Sequence, residues 1–269
     1  MGLDVNKQDA ESVSTLEVIE GEVRDGEKVR RKGVYLLPNL FTTAALFSGY
    51  YAILASMSGY FEKASVAIFI AMVLDGLDGR VARLTNTQSD FGAQYDSLSD
   101  LIAFGIAPSV LIYSWSLQSL GKVGWMASFI FASCTALRLA RFNVQVEMVD
   151  KKYFVGLASP SAAAVITSYV WFSYDMGLTS NTMAALAAML TVFISSLMVC
   201  NLRYLSFKEI DFRGRVPFAA ILFIMILFSV IFIDPPKVLF LMFFIYALSG
   251  PFLFLNTRLF KNKATTDIL

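Results

Sequence analysis

The sequence has no histidine, and only two cysteines in 269 residues. The first absence removes imidazole bases, Ser/His/Asp triads, Cys/His nucleophile pairs and histidine metal sites together. The second leaves no disulfide framework: Cys134 and Cys200 fall inside apolar stretches with neither a metal-binding nor a redox spacing, and read as packing residues. Charge is scarce too. Asp, Glu, Lys and Arg make up 16% of the chain, where a soluble domain carries about a quarter. A net charge of +1 offers nucleic acid no polyelectrolyte surface to bind. Any acid/base or metal chemistry therefore falls to carboxylates.

Apolar residues are what the chain has in quantity: 57% of it is hydrophobic and 24 residues are Phe, spread over nearly the whole length rather than confined to one anchor. Runs of about 20 mainly apolar residues suffice to cross a hydrocarbon layer. They occur near 35–58, 64–84, 94–118, 123–141, 157–175, 181–201, 216–233 and 238–257. These predict an all-α, polytopic membrane helix bundle with about eight transmembrane helices and membrane lipids as its surroundings. Of the 22 Lys and Arg, all but Lys63, Lys122 and Lys237 then fall on one side, so the positive-inside rule predicts both termini to be cytoplasmic. Residues 1–32 read as a mobile acidic N-terminal arm ending in the juxtamembrane basic segment Lys28 to Lys32. Residues 33–257 read as the transmembrane domain, to which any catalysis would fall, and 258–269 as a cytoplasmic tail. The Phe and Met runs at 219–245 carry no polar stripe and suit lipid contact or subunit packing.

The second apolar run is interrupted. After Ala64 to Leu74 come Asp75, Gly76, Leu77, Asp78, Gly79 and Arg80, which puts Asp75 only about 16 Å into a layer of about 30 Å. Ionisable groups at that depth cost at least about 2.5 kcal/mol and normally face water, a partner or an ion. On a helix Asp75 and Asp78 lie about 60° apart, and Asp96 and Asp100 about 40° apart on the next one. Two antiparallel helices joined by a short turn thus aim four carboxylates at one volume. They cannot stay ionised together without cations, and Arg80 and Arg83 are too few to neutralise them. All-oxygen ligands favour Mg²⁺ or Mn²⁺ over Zn²⁺, with donors enough for two ions. Gly79 and Gly92 would let a nucleotide approach the backbone, and Arg83 can offset phosphate charge. A cation or proton transporter, the rival of a different class, should spread its acids through the membrane; here they gather on one side.

The pattern Asp75-x-x-Asp78-Gly79-x-x-Ala82-Arg83, eight residues, then Gly92-x-x-x-Asp96-x-x-x-Asp100 resembles the signature of the CDP-alcohol phosphotransferases at all eight fixed positions. Within that family the wider sequence is similar to the membrane-embedded bacterial phosphatidylserine synthases, through Leu37 to Thr42, Leu74 to Asp100, Ala136 to Asn143 and Gly156 to Pro160. It departs from them at Ala103, where Ser is usual, and at Ala158, where Pro is usual. The resemblance implies transfer of phosphatidyl from CDP-diacylglycerol to the hydroxyl of L-serine, with release of CMP. It also implies a homodimer in the bacterial inner membrane whose site faces the cytoplasm. Glycerol 3-phosphate and inositol phosphate are the competing acceptors.

On that resemblance Asp75, Asp78, Asp96 and Asp100 hold the divalent ions, and Asp100 is also the general base. Gly79, Ala82, Arg83 and Gly92 line the CDP site. Asn39 and Thr42, at the start of the first span, face the CDP phosphates or serve as caps after Pro38. Arg138, Arg141 and Ser159 are candidates for holding the acceptor or a phosphate; the arginines suit headgroup snorkelling as well, and Ser159 suits a helix start. Lys151 and Lys152 read as loop charges.

Overall fold

A computed structural model describes residues 23–24, 27–28, 36–85, 87, 89–145, 153–178, 180–205 and 218–266. Of the expected N-terminal arm it describes only two short strands, β1 (Val23–Arg24) paired antiparallel with β2 (Glu27–Lys28). Helix occupies all eight expected apolar segments. α1 is Leu36–Met57 and α2 Phe61–Thr85. The third segment departs from the single helix expected over 94–118. It begins earlier as α3, Asp90–Asp100, winds into a π-helical turn at Leu101–Ile106, resumes as α4, Ala107–Trp115, and closes with a 3₁₀ turn at Leu117–Leu120. After it come α5 (Lys122–Gln145), α6 (Ser159–Asp175), α7 (Ser180–Val199), α8 (Phe218–Ile233) and α9 (Pro235–Thr266). Helix α9 therefore continues into the stretch expected as a tail.

Among the described residues, four stretches are long and apolar enough to cross a membrane: Pro38–Met57, Asp90–Trp115, Lys122–Val144 and Pro235–Phe254. The chain is a helical membrane protein. In lipid, apolar burial alone gives helices no reason to associate, so close van der Waals approach has to hold them. Helices α1 and α2 pack along each other and bury rows of small residues, Ala45, Ala52 and Ala55 on one and Ala64, Ala67 and Ala71 on the other. The Ser48 hydroxyl donates to the Ala67 carbonyl between them at 2.7 Å. Helix α6 sits against both α2 and α9 and is buried continuously from Ala162 to Val170. Ala103, one of the departures noted above, is fully buried in the π-helical turn against Gly49. Apolar side chains on α8 and α9, among them Phe228, Phe232, Ile245 and Phe252, are exposed.

A second ladder ties two connections together: β3 (Tyr153–Val155) runs antiparallel to β4 (Arg203–Leu205), with Phe154 opposite Tyr204. Gly156 follows with φ +83°, and a Cβ there would lie 2.3 Å from the Met198 carbonyl oxygen, so no other residue fits. Tyr204 is buried, and its hydroxyl donates to the Ala247 carbonyl of α9 at 3.0 Å.

Candidate active site

At one end of the bundle α2 and α3 bring their acids together. Carboxylate oxygens of Asp75, Asp78 and Asp96 all lie within 4.8 Å of one another. Asp100, at the end of α3, stands outside that trio but within hydrogen-bond reach of Asp75. The π-helical turn starts at the very next residue, so the α-helical phase that keeps Asp96 and Asp100 on one face ends just after the second of them. Asp78 is buried, and the Asp96 Oδ1 atom is buried with no hydrogen-bond partner. Neither Arg80 nor Arg83 forms an ion pair with these acids; the ion pair found among the described residues joins Asp234 to Lys237, far along the chain. Three clustered carboxylates, one with an orphaned oxygen and none with a counter-charge, fit a hard divalent cation.

Helix α1 frames this end. The Thr42 hydroxyl, expected as a phosphate contact or a cap, is buried and donates to Asp78 Oδ2 at 2.7 Å, with the Pro38 carbonyl 3.1 Å away. In turn the Ser99 hydroxyl of α3 donates to the Thr42 carbonyl at 3.1 Å, and Thr43 and Tyr95 share a hydrogen bond of 2.9 Å. The short turn between α2 and α3 ends in an N-cap, where Ser89 accepts from the Gly92 backbone N–H at 3.0 Å. That bond satisfies one of the first-turn donors of α3.

Beside the acids lies a cavity of about 380 Å³. All six residues expected around the nucleotide line it: Asn39, Thr42, Gly79, Ala82, Arg83 and Gly92, with Asp78 and Asp96 at the same wall. A Cβ on Gly79 would meet nothing within 4 Å, so this glycine is not there for helix packing. One on Gly92 would press on Ser89 Oγ at 3.1 Å. Thr87, Ser89 and Phe142 also line the cavity, and sequence reasoning gave none of them a role.

Three further candidates sit elsewhere. Arg138 donates to the Ser159 hydroxyl at 2.6 Å, its Nε is buried without a partner, and Asp100 is an ionisable group close enough to act on it. Arg141 instead crosses to the end of α7, bonding Asn201 Oδ1 at 2.7 Å and the Val199 carbonyl at 3.4 Å. It does not reach the cavity. Lys151 and Lys152 lie outside the described residues. Cys134 and Cys200 are free thiols, half-buried, and neither lines the cavity.

Comparison with known proteins supplies an independent line. A family model described as CDP-alcohol phosphatidyltransferase matches residues 35–194. A CDP-diacylglycerol–serine O-phosphatidyltransferase of Helicobacter pylori is 35% identical over 232 residues, covering 86% of this chain and 96% of the relative. A protein of the same description from Mycobacterium leprae is 33% identical over 153 residues, covering 55% of this chain and 51% of the relative. An archaetidylserine synthase of Methanothermobacter thermautotrophicus is 35% identical over 170 residues, covering 62% and 69%.

Proposed function

Because the chain belongs to the CDP-alcohol phosphatidyltransferase family and is a transferase, we propose that it transfers phosphatidyl from CDP-diacylglycerol to the hydroxyl of L-serine. The products are phosphatidylserine and CMP. The observation that carries this reading is the cluster of Asp75, Asp78 and Asp96, the last two at the wall of a cavity also lined by Gly79, Gly92 and Arg83. The acceptor is inferred from what the relatives from H. pylori and M. leprae are called.

In this reading Asp75, Asp78 and Asp96, with Asp100 completing the set, hold two ions of Mg²⁺ or Mn²⁺, which supply positive charge against the diphosphate. Gly79 and Gly92 admit the nucleotide to the helix backbones, and Arg83 offsets phosphate charge from the cavity's edge. Arg138, steadied by Ser159, binds the serine carboxylate; its buried, unpartnered Nε supports the assignment. Asp100 accepts the proton of the serine hydroxyl as the serine oxygen forms its bond to the β-phosphorus and the bond from that phosphorus to the CMP oxygen breaks. The absence of histidine and of either cysteine from the cavity lining favours this direct attack over a covalent enzyme intermediate.

The same proposal includes eight spans, both termini and the acidic end in the cytoplasm of a bacterial inner membrane, and a homodimer. The excess of Lys and Arg on one side supports that orientation. It also lets CMP and serine come from water while the acyl chains stay in lipid. The test is an acceptor panel. Purified protein with CDP-diacylglycerol and Mn²⁺ or Mg²⁺ should release CMP with L-serine and not with glycerol 3-phosphate or inositol phosphate. Preference for either phosphate would overturn the acceptor.

A further inference from the structure

We propose that Phe142, near the end of α5, is the platform on which the pyrimidine ring of the bound nucleotide stacks. The inference deepens the nucleotide reading of the cavity and rests on it. Helices α1, α2 and α3 give the cavity small, polar or charged linings such as Asn39, Gly79, Thr87 and Gly92; the contribution of α5 is Phe142, the one aromatic ring among the lining residues. It is 45% exposed. An aromatic face turned toward a polar cavity gains little from water and much from a flat partner, and every nucleobase offers such a face whatever its edge.

The placement of the ring is held by its neighbour. Asn143 and Ser97 bond reciprocally: Asn143 Nδ2 donates to Ser97 Oγ at 3.0 Å, and the Ser97 hydroxyl faces Asn143 Oδ1 at 3.2 Å. Ser97 follows Asp96, so this pair registers the last turns of α5 against the acidic end of α3. Along α3 the cavity lining runs from Asp96 down to Ser89, roughly 10 Å at 1.5 Å per residue. A nucleotide whose phosphates meet Asp78 and Asp96 occupies the same cavity that the Phe142 ring lines from α5, with the ring within reach of its base.

The experiment measures equilibrium binding of CMP and of ribose 5-phosphate to the full-length protein in lipid nanodiscs at saturating Mn²⁺. Phe142→Ala should weaken CMP about tenfold or more, the scale of one lost base stack, while ribose 5-phosphate binding stays within about twofold of the wild type. Phe142→Trp should bind CMP at least as well as the wild type. CMP affinity unchanged in Phe142→Ala would overturn the proposal, and so would an equal loss for both ligands, which would make the ring a wall for the phosphates or a lipid contact. If the wild type binds no CMP, the nucleotide reading of the cavity falls first and this inference with it.

Discussion

Replacing Thr42 by Val separates two roles that its position allows. The substitution keeps the volume and the branching but removes the hydroxyl that donates to Asp78 Oδ2 at 2.7 Å. A hydrogen bond to a charged group contributes about 1.5–3 kcal/mol, equivalent to roughly 10- to 150-fold in an equilibrium constant. Loss of a partner that orients a ligating carboxylate commonly lowers metal affinity by about 10- to 100-fold. Thr42→Val should therefore shift the Mn²⁺ activation curve, and direct Mn²⁺ binding followed by electron paramagnetic resonance, upward by one to two decades. At saturating Mn²⁺ the KM for CDP-diacylglycerol should return close to the wild-type value, and Thr42→Ser should behave as wild type throughout. A raised CDP-diacylglycerol KM that excess metal does not repair, with Mn²⁺ affinity intact, would refute the argument and return Thr42 to the phosphates.

Asp100→Asn should lower turnover by at least about a hundredfold while Mn²⁺ binding by the remaining trio persists; near-normal turnover would remove Asp100 from the role of base. Gly79→Leu should leave thermal unfolding in detergent unchanged or slightly raised, since open space surrounds the site and Gly is a poor helix former. The same variant should lose CMP binding, and full binding would show that the cavity wall at Gly79 is not used. Gly250→Ala places a Cβ 2.3 Å from the Tyr204 ring, an overpacking that costs about 1–3 kcal/mol. It should lower the unfolding midpoint, and an unchanged midpoint would show that α9 and Tyr204 part easily.

Periodicity and composition made the helical segments legible because lipid enforces them: apolar runs of membrane-crossing length have few other uses. The acidic spacing was legible for a related reason, since four aspartates interrupting such runs need a common purpose. What escaped the sequence depends on contacts between distant segments. No local signal marks the π-helical turn after Asp100. The pairing of Tyr153–Val155 with Arg203–Leu205 joins segments about 50 residues apart, and only the folded bundle brings them into register. Thr42 and Arg141 show the same limit. The first spends its hydroxyl on Asp78. The second has a charge suited to the site, but at its place on α5 the end of α7 is the nearer partner.

The wide turn at Leu101–Ile106 works as a phase offset in an otherwise continuous rod. One surplus residue in the winding amounts to about 100° of azimuth. The facet of α3 that carries Asp96 and Asp100 and the facet of α4 that seats Leu111 and Ile112 in the interior are therefore not bound to a common angle. Substitutions that reshape the interior facet can accumulate without swinging the acids out of aim. Deleting a single residue within the turn would lock the two facets together and misalign one of them.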